Sequence, residues 1–160
     1  MGALTEILAA PAGIGELRLA LPALARPSAV GRWLAWIAPP HIPYAPALAA
    51  RGIELRRLLL VRAQAEDTLW AAEQALRSGS CGAVLAWPAA GGGRALRRLQ
   101  LAAEAGRAWG LLFHSPRAAA SPPPAALRLR LEAAGDGLAV RILKRRSGGA
   151  VAPLSLHIAA

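Results

Sequence analysis

Short apolar runs punctuated by Gly, Pro and Arg make up most of the chain, and their spacing alternates between strand-like and helix-like. Residues 3–9 form a nearly unbroken apolar run that predicts a buried strand. Glu16 to about Ala25 follows with helical spacing, which Pro22 should kink or shorten. Arg32–Ala38, carrying Trp33 and Trp36, suits a second strand stopped by Pro39-Pro40. The stretch 39–46 is too proline-rich for either element, and Ala47–Ala50 is a short helix ended by Gly52. Leu58–Val61 reads as a third strand. From Glu66 to Ser78, Leu69, Ala72 and Leu76 share one face, while Glu73 and Arg77 stand at the favourable i,i+4 spacing, so a helix is predicted. Gly82–Trp87 is the fourth strand, closed by Pro88. The Gly91-Gly92-Gly93 turn leads into a helix from Arg94 to about Ala108 with Leu96, Leu99 and Ala103 facing inward, and Gly110–His114 is the fifth strand.

Strands alternating with helices at this spacing predict βα units and a mostly parallel sheet. After the Ala/Ser/Pro stretch 115–124, Leu127–Glu132, Leu138–Lys144 and Leu154–Ile158 follow one another with no helix between them. Leu127, Leu129 and Leu131 alternate with charged residues, as in a half-buried strand, and 133–137 reads as a hairpin turn. The expected organisation is one domain: βα units over 1–114, a loop over 115–124 and an antiparallel β-meander over 125–160.

Bulk composition narrows the classes. The chain has 160 residues, 55% of them apolar, enough for a sizeable core. Its apolar stretches break well before the roughly 18 residues a membrane helix needs. The N-terminal run lacks a basic flank and contains Glu6, which argues against a secretory signal. The lone Cys81 has no partner for an intramolecular disulfide, so a reducing compartment and the cytoplasm are expected. Nineteen basic against nine acidic residues give a net charge of +10. Such a charge suits nucleic acid, acidic lipid or an acidic protein. Nearly all the cations are Arg in an Ala/Gly/Pro/Arg-rich chain, and the codon bias of a high-GC genome accounts for them equally well.

Candidate chemistry centres on the first turn. A phosphate loop needs G-x-x-x-x-G-K-[ST], whose backbone N–H groups cradle phosphate at a helix N-terminus. Here Ala10 takes the first glycine's place, Gly15 keeps the second, Glu16 stands for the lysine and Leu17 for the hydroxyl residue. The strand Val84-Leu85-Ala86-Trp87 ends in tryptophan, where Mg²⁺ binding would need an acid. ATP hydrolysis is not expected and no cofactor is required; nucleotide binding without turnover would use the backbone of Gly13 and Gly15. His41, His114 and His157 lack metal-ligand spacing, and Cys81 lacks a partner base. Two basic groups are candidates for nucleic-acid or partner binding: Arg94, Arg97 and Arg98 on one helix, and Arg141, Lys144, Arg145 and Arg146 at the late hairpin. A solvated face is the alternative for the helix. The loop 39–46 with Tyr44 is a candidate docking segment, and core packing is expected for most of the five tryptophans.

The order of elements resembles the RecA-like P-loop NTPase core. Ala75-Leu76-Arg77-Ser78-Gly79 looks like the segment before the Walker B strand, and 140–146 like the late basic strand. More specifically, Gly2–Leu8, Arg32–Pro40, Pro43–Leu48, Trp70–Gly79, Gly82–Pro88 and Arg94–Glu104 resemble ImuA, the RecA-like protein associated with translesion synthesis. That resemblance implies a non-catalytic adaptor in SOS-induced translesion DNA synthesis, with ImuB, a DnaE-type polymerase and RecA as partners and DNA contact through the basic groups. Members of that family usually carry an N-terminal extension before the first strand, whereas Met1 stands directly at it here, so either a late start or a shortened form is expected. The division inhibitor SulA shares the tryptophan strand, the Ala-Leu-Arg-x-Gly turn and the strand after it, which implies the alternative of an SOS cell-division inhibitor binding FtsZ. A DNA-stimulated ATPase is the third expectation.

Overall fold

The computed structural model describes residues 2–9, 13–116, 124–135, 137–146 and 154–156. Residues 10–12 of the glycine turn, most of the loop 115–124 with Arg117, Asp136 of the hairpin, Gly148-Gly149 beyond the basic run and His157 lie outside them. Strands β1 (Ala3–Ala9), β2 (Trp33–Ile37), β3 (Leu58–Val61), β4 (Cys81–Ala86) and β5 (Trp109–His114) alternate with helices α1 (Glu16–Ala29), α2 (Ala45–Ala50), α3 (Thr68–Arg77) and α4 (Gly93–Gly106). Strands β6 (Leu127–Ala134), β7 (Gly137–Arg145) and β8 (Leu154–Leu156) follow. Among the described residues these eight strands form one sheet in the order β3-β2-β4-β5-β1-β6-β7-β8. Pairings from β3 to β6 are parallel, and β6–β7 and β7–β8 are antiparallel.

Both faces of the central strands are covered, which is why they read as continuous apolar runs. On one face Leu76 of α3 and Leu96 and Leu99 of α4 pack over Leu4, Val84 and Leu112. On the other, Leu24 of α1 and Leu48 of α2 pack over Ile7, Leu34 and Leu111. Helix α1 runs on to Ala29 and carries both Pro22 and Pro27 inside it. Each proline removes an intrahelical hydrogen bond, but Leu21 and Leu24 are buried beneath the helix. At about 1.5–3 kcal/mol per fully buried side chain, that burial offsets the cost. β3 is an edge strand, with Leu59 46% exposed, so its apolar run does not signify burial on both faces.

Arg32 fastens the opposite end of the sheet from the glycine turn. Its Nη1 donates to the Arg107 carbonyl at 3.0 Å, and its Nη2 to the carbonyls of Gly79 at 2.8 Å, Cys81 at 2.7 Å and Gly106 at 3.2 Å. One guanidinium thus satisfies carbonyls left open where α3 and α4 end and ties them to the start of β4. A Cβ on Gly106 would lie 1.8 Å from the Leu76 carbonyl oxygen, so only glycine permits the two helix ends to approach.

The expected RecA-like P-loop NTPase core is corrected by this structure. Among the described residues the chain forms a mixed sheet with four α-helices, and its first turn holds a side chain where a phosphate loop would hold an anion. No helix among the described residues is long and apolar enough to cross a membrane.

Candidate functional site

The first turn explains why the nucleotide-loop outline misleads. Gly13 and Gly15 both take positive φ, +86° and +108°, a backbone conformation that side chains rarely adopt. The turn they make points N–H groups inward, and Glu16 fills it. Gly13 N–H donates to Glu16 Oε1 at 2.8 Å and Gly15 N–H to Glu16 Oε2 at 3.1 Å. The buried Glu16 carboxylate sits in the first turn of α1, where the helix dipole favours a negative charge. An incoming phosphate would have to displace that carboxylate and then face it. Trp87, at the end of β4, stacks on Phe113 with ring centroids 4.7 Å apart and tilts against Trp36 at 5.8 Å. An aromatic stack thus takes the place of a Mg²⁺ ligand. Among the described residues no group of three or more His, Cys, Asp or Glu side chains could hold a metal.

His114, the last residue of β5, belongs to a buried cluster that the sequence did not disclose. Its Nε2 lies 3.1 Å from Oε1 of Glu6 on β1, and Arg128 Nε on β6 lies 3.4 Å from Glu6 Oε2. Adjacent strands bring Glu6 to His114 and Arg128, each more than a hundred residues away in sequence. Only Glu6, an acid in the middle of a buried strand, signalled that a partner must exist. Cys81 is buried at the start of β4, and burial raises its thiol pKa, in keeping with an inert side chain.

The structure separates the basic residues singled out from the sequence. Arg94, Arg97 and Arg98 are exposed on α4, and Arg98 pairs with Glu73 of α3. Arg146, just past β7, pairs with Glu104 at 3.0 Å, near the other end of α4. Hydrogen bonds from Gln100 and Arg146 lower the Glu104 pKa. Arg141 faces Arg130 across the β6–β7 ladder, and Lys144 faces Arg128. The cations are therefore spread along α4 and the meander, with Arg98 and Arg146 matched by carboxylates.

A different surface stands out. Past β2 the chain turns at Ala38, which takes φ +50°, into the proline-rich loop, leaving Ile42 71% and Tyr44 73% exposed. In the first turn of α3, Trp70 is 60% exposed. It stands between two concavities, one of about 420 Å³ shared with Val61 and Ala63 and one of about 180 Å³ shared with Glu73 and Arg98. A third, of about 360 Å³, lies between Pro39, Ile42 and Leu60. Large apolar side chains exposed around concave surface mark a protein contact site. The stripe Leu69, Ala72 and Leu76 omits Trp70, and this was the available signal that it turns outward.

Comparison with known proteins identifies the family. The sequence model described as "Cell division inhibitor SulA" matches residues 2–110. A cell division inhibitor SulA of Edwardsiella piscicida is 40% identical over 114 residues, covering 68% of each chain. Another from Photorhabdus laumondii is 34% identical over 97 residues, covering 60% of this chain and 55% of the relative. The crystal structure of SulA from Pseudomonas aeruginosa superimposes with a TM-score of 0.57 at 30% identity, covering 70% of this chain and 97% of that one.

These findings overturn the assignment to ImuA, and with it ImuB, a DnaE-type polymerase and RecA as partners. The tryptophan strand and the Ala-Leu-Arg-x-Gly turn are shared by both families and so could not separate them. The fold assignment falls with it, since the matching solved structure is a SulA. The chain belongs to the SulA family of cell division inhibitors and is not an enzyme.

Proposed function

We propose that this chain arrests division during the SOS response to DNA damage by binding FtsZ, the polymerising GTPase, in the cytoplasm. It acts as a stoichiometric protein ligand. The observation that carries this reading is positional: the family match over 2–110 contains the exposed Ile42, Tyr44 and Trp70, whereas Arg141–Arg146 lie beyond it. The filled turn at Glu16 supports the same reading, because a division inhibitor of this kind needs a contact surface and no nucleotide of its own.

The test is controlled expression in a rod-shaped bacterium whose FtsZ is the intended target. Filamentous cells with segregated chromosomes and no FtsZ rings are expected from the parent chain, and near-normal cell length from Trp70→Ala at equal protein level. Normal division under the parent chain would reject the function. Filamentation by Trp70→Ala equal to the parent's would reject the surface.

A further inference from the structure

The edge of the sheet next to this surface has a feature that exposure alone does not explain. β3 pairs with β2 on one side and with no strand on the other among the described residues. An open edge offers unpaired backbone N–H and C=O groups to a second chain. Two of the concavities meet at the C-terminal end of that edge, where Arg62 and Ala63 line both. Val61 packs on the α3 side and lines the one beneath Trp70, whereas Leu60 packs on the opposite side and lines the one beside Pro39 and Ile42, so these successive residues of β3 face different clefts. An extended segment laid along β3 would send its own successive side chains into one cleft and then the other. Backbone hydrogen bonds supplying affinity and alternating pockets supplying specificity are the two requirements for recognition by strand addition.

Charge indicates what kind of segment fits. Arg56 and Arg57 stand exposed at the start of β3 and Arg62 at its end, where Arg62 borders both clefts. His41 borders the cleft beside Ile42, while Asp67 sits on the rim of the Trp70 cleft. Acidic residues therefore suit the His41 side, and apolar residues suit the Trp70 side. A second copy is a poor occupant. Two-fold antiparallel pairing of β3 with itself would bring the Arg56–Arg57 end of one copy against the Arg62 end of the other, and like charges placed opposite each other destabilise a ladder.

We propose that the open edge of β3 is a strand-docking site for an extended partner segment in which acidic and apolar residues alternate. This rests on the reading that the chain works by protein contact, and it specifies the form that contact takes.

A fluorescein-labelled peptide of alternating Asp and Leu, titrated with the full chain and followed by anisotropy, tests it. Saturable binding is expected, weakened about tenfold or more by Arg62→Glu, an exposed substitution that should leave the melting temperature unchanged. The same peptide N-methylated at alternate residues, so that one edge loses its donors, should not bind. A Lys/Leu peptide should not bind either. Absent binding, or equal binding by the N-methylated peptide, overturns the proposal. So does a dimer of the parent chain in sedimentation that Arg62→Glu dissolves, because the edge would then serve a second copy. FtsZ inhibition measured on the same preparations separates the two ideas. A chain that ignores the peptide yet blocks FtsZ assembly defeats strand docking alone, and one that binds the peptide yet leaves FtsZ assembling defeats the division reading alone.

Discussion

Glu16→Ala tests the filled turn most sharply. In the parent chain, two backbone N–H groups donate to one buried carboxylate at 2.8 and 3.1 Å. Hydrogen bonds to a charged acceptor contribute about 1.5–3 kcal/mol each. An acid in the first helical turn adds about 0.3–1 kcal/mol. Gly13 is exposed and Gly15 half-buried, so water can reach the freed donors and the net loss should be about 1–3 kcal/mol. For a chain of this size, that lowers the melting midpoint by roughly 2–10 °C. Glu16→Gln keeps an acceptor without the charge and should fall between the two. Differential scanning calorimetry measures all three, and a second readout separates this loss from generic damage. With the carboxylate gone, the turn presents free donors at a helix N-terminus. Inorganic phosphate should then raise the midpoint of Glu16→Ala and not that of the parent chain at matched ionic strength. An alanine variant as stable as the parent, or phosphate stabilising both equally, would refute the reasoning.

Other perturbations probe how the framework holds that surface. Arg32→Ala strips four carbonyls of a donor where α3 and α4 end and β4 begins, and chemical denaturation should report a loss of about 2–4 kcal/mol. Gly106→Ala forces a methyl against the Leu76 carbonyl and should yield little soluble folded protein, read by circular dichroism and recovery on gel filtration. Burial holds the Cys81 thiol pKa up, so iodoacetamide should label it slowly at neutral pH and quickly once the chain is unfolded in urea.

Local periodicity made much of the framework legible. Strands at 3–9, 33–37, 58–61, 81–86 and 109–114, and the helices of α3 and α4, fall close to where the apolar spacing predicts them. Features built by distant contacts were hidden. Arg32 reaches carbonyls 47 to 75 residues away, and the Glu6–His114–Arg128 cluster is assembled only when β1 lies between β5 and β6. Edge position also escaped notice, because an apolar run of four residues looks the same at the centre of a sheet as at its border. At the first turn, Glu16 was legible as a residue hostile to phosphate, while its role in replacing phosphate needed the coordinates. The family assignment failed for another reason. The segments that carry it are mostly strands, helices and turns of the framework, and a framework does not say what the outer surface binds.

The central claim is that a folded surface around Trp70, rather than any nucleotide chemistry, carries the activity. Sedimentation of GTP-assembled FtsZ, titrated with the purified chain, tests it directly. The account predicts that pelleted polymer falls in proportion to added chain and is abolished near equimolar amounts. Trp70→Ala, equally stable because its side chain is 60% exposed, should need roughly thirtyfold more protein, the effect of losing a contact worth about 2 kcal/mol. Undiminished FtsZ polymer at excess parent chain, or equal potency of parent and Trp70→Ala, would contradict it.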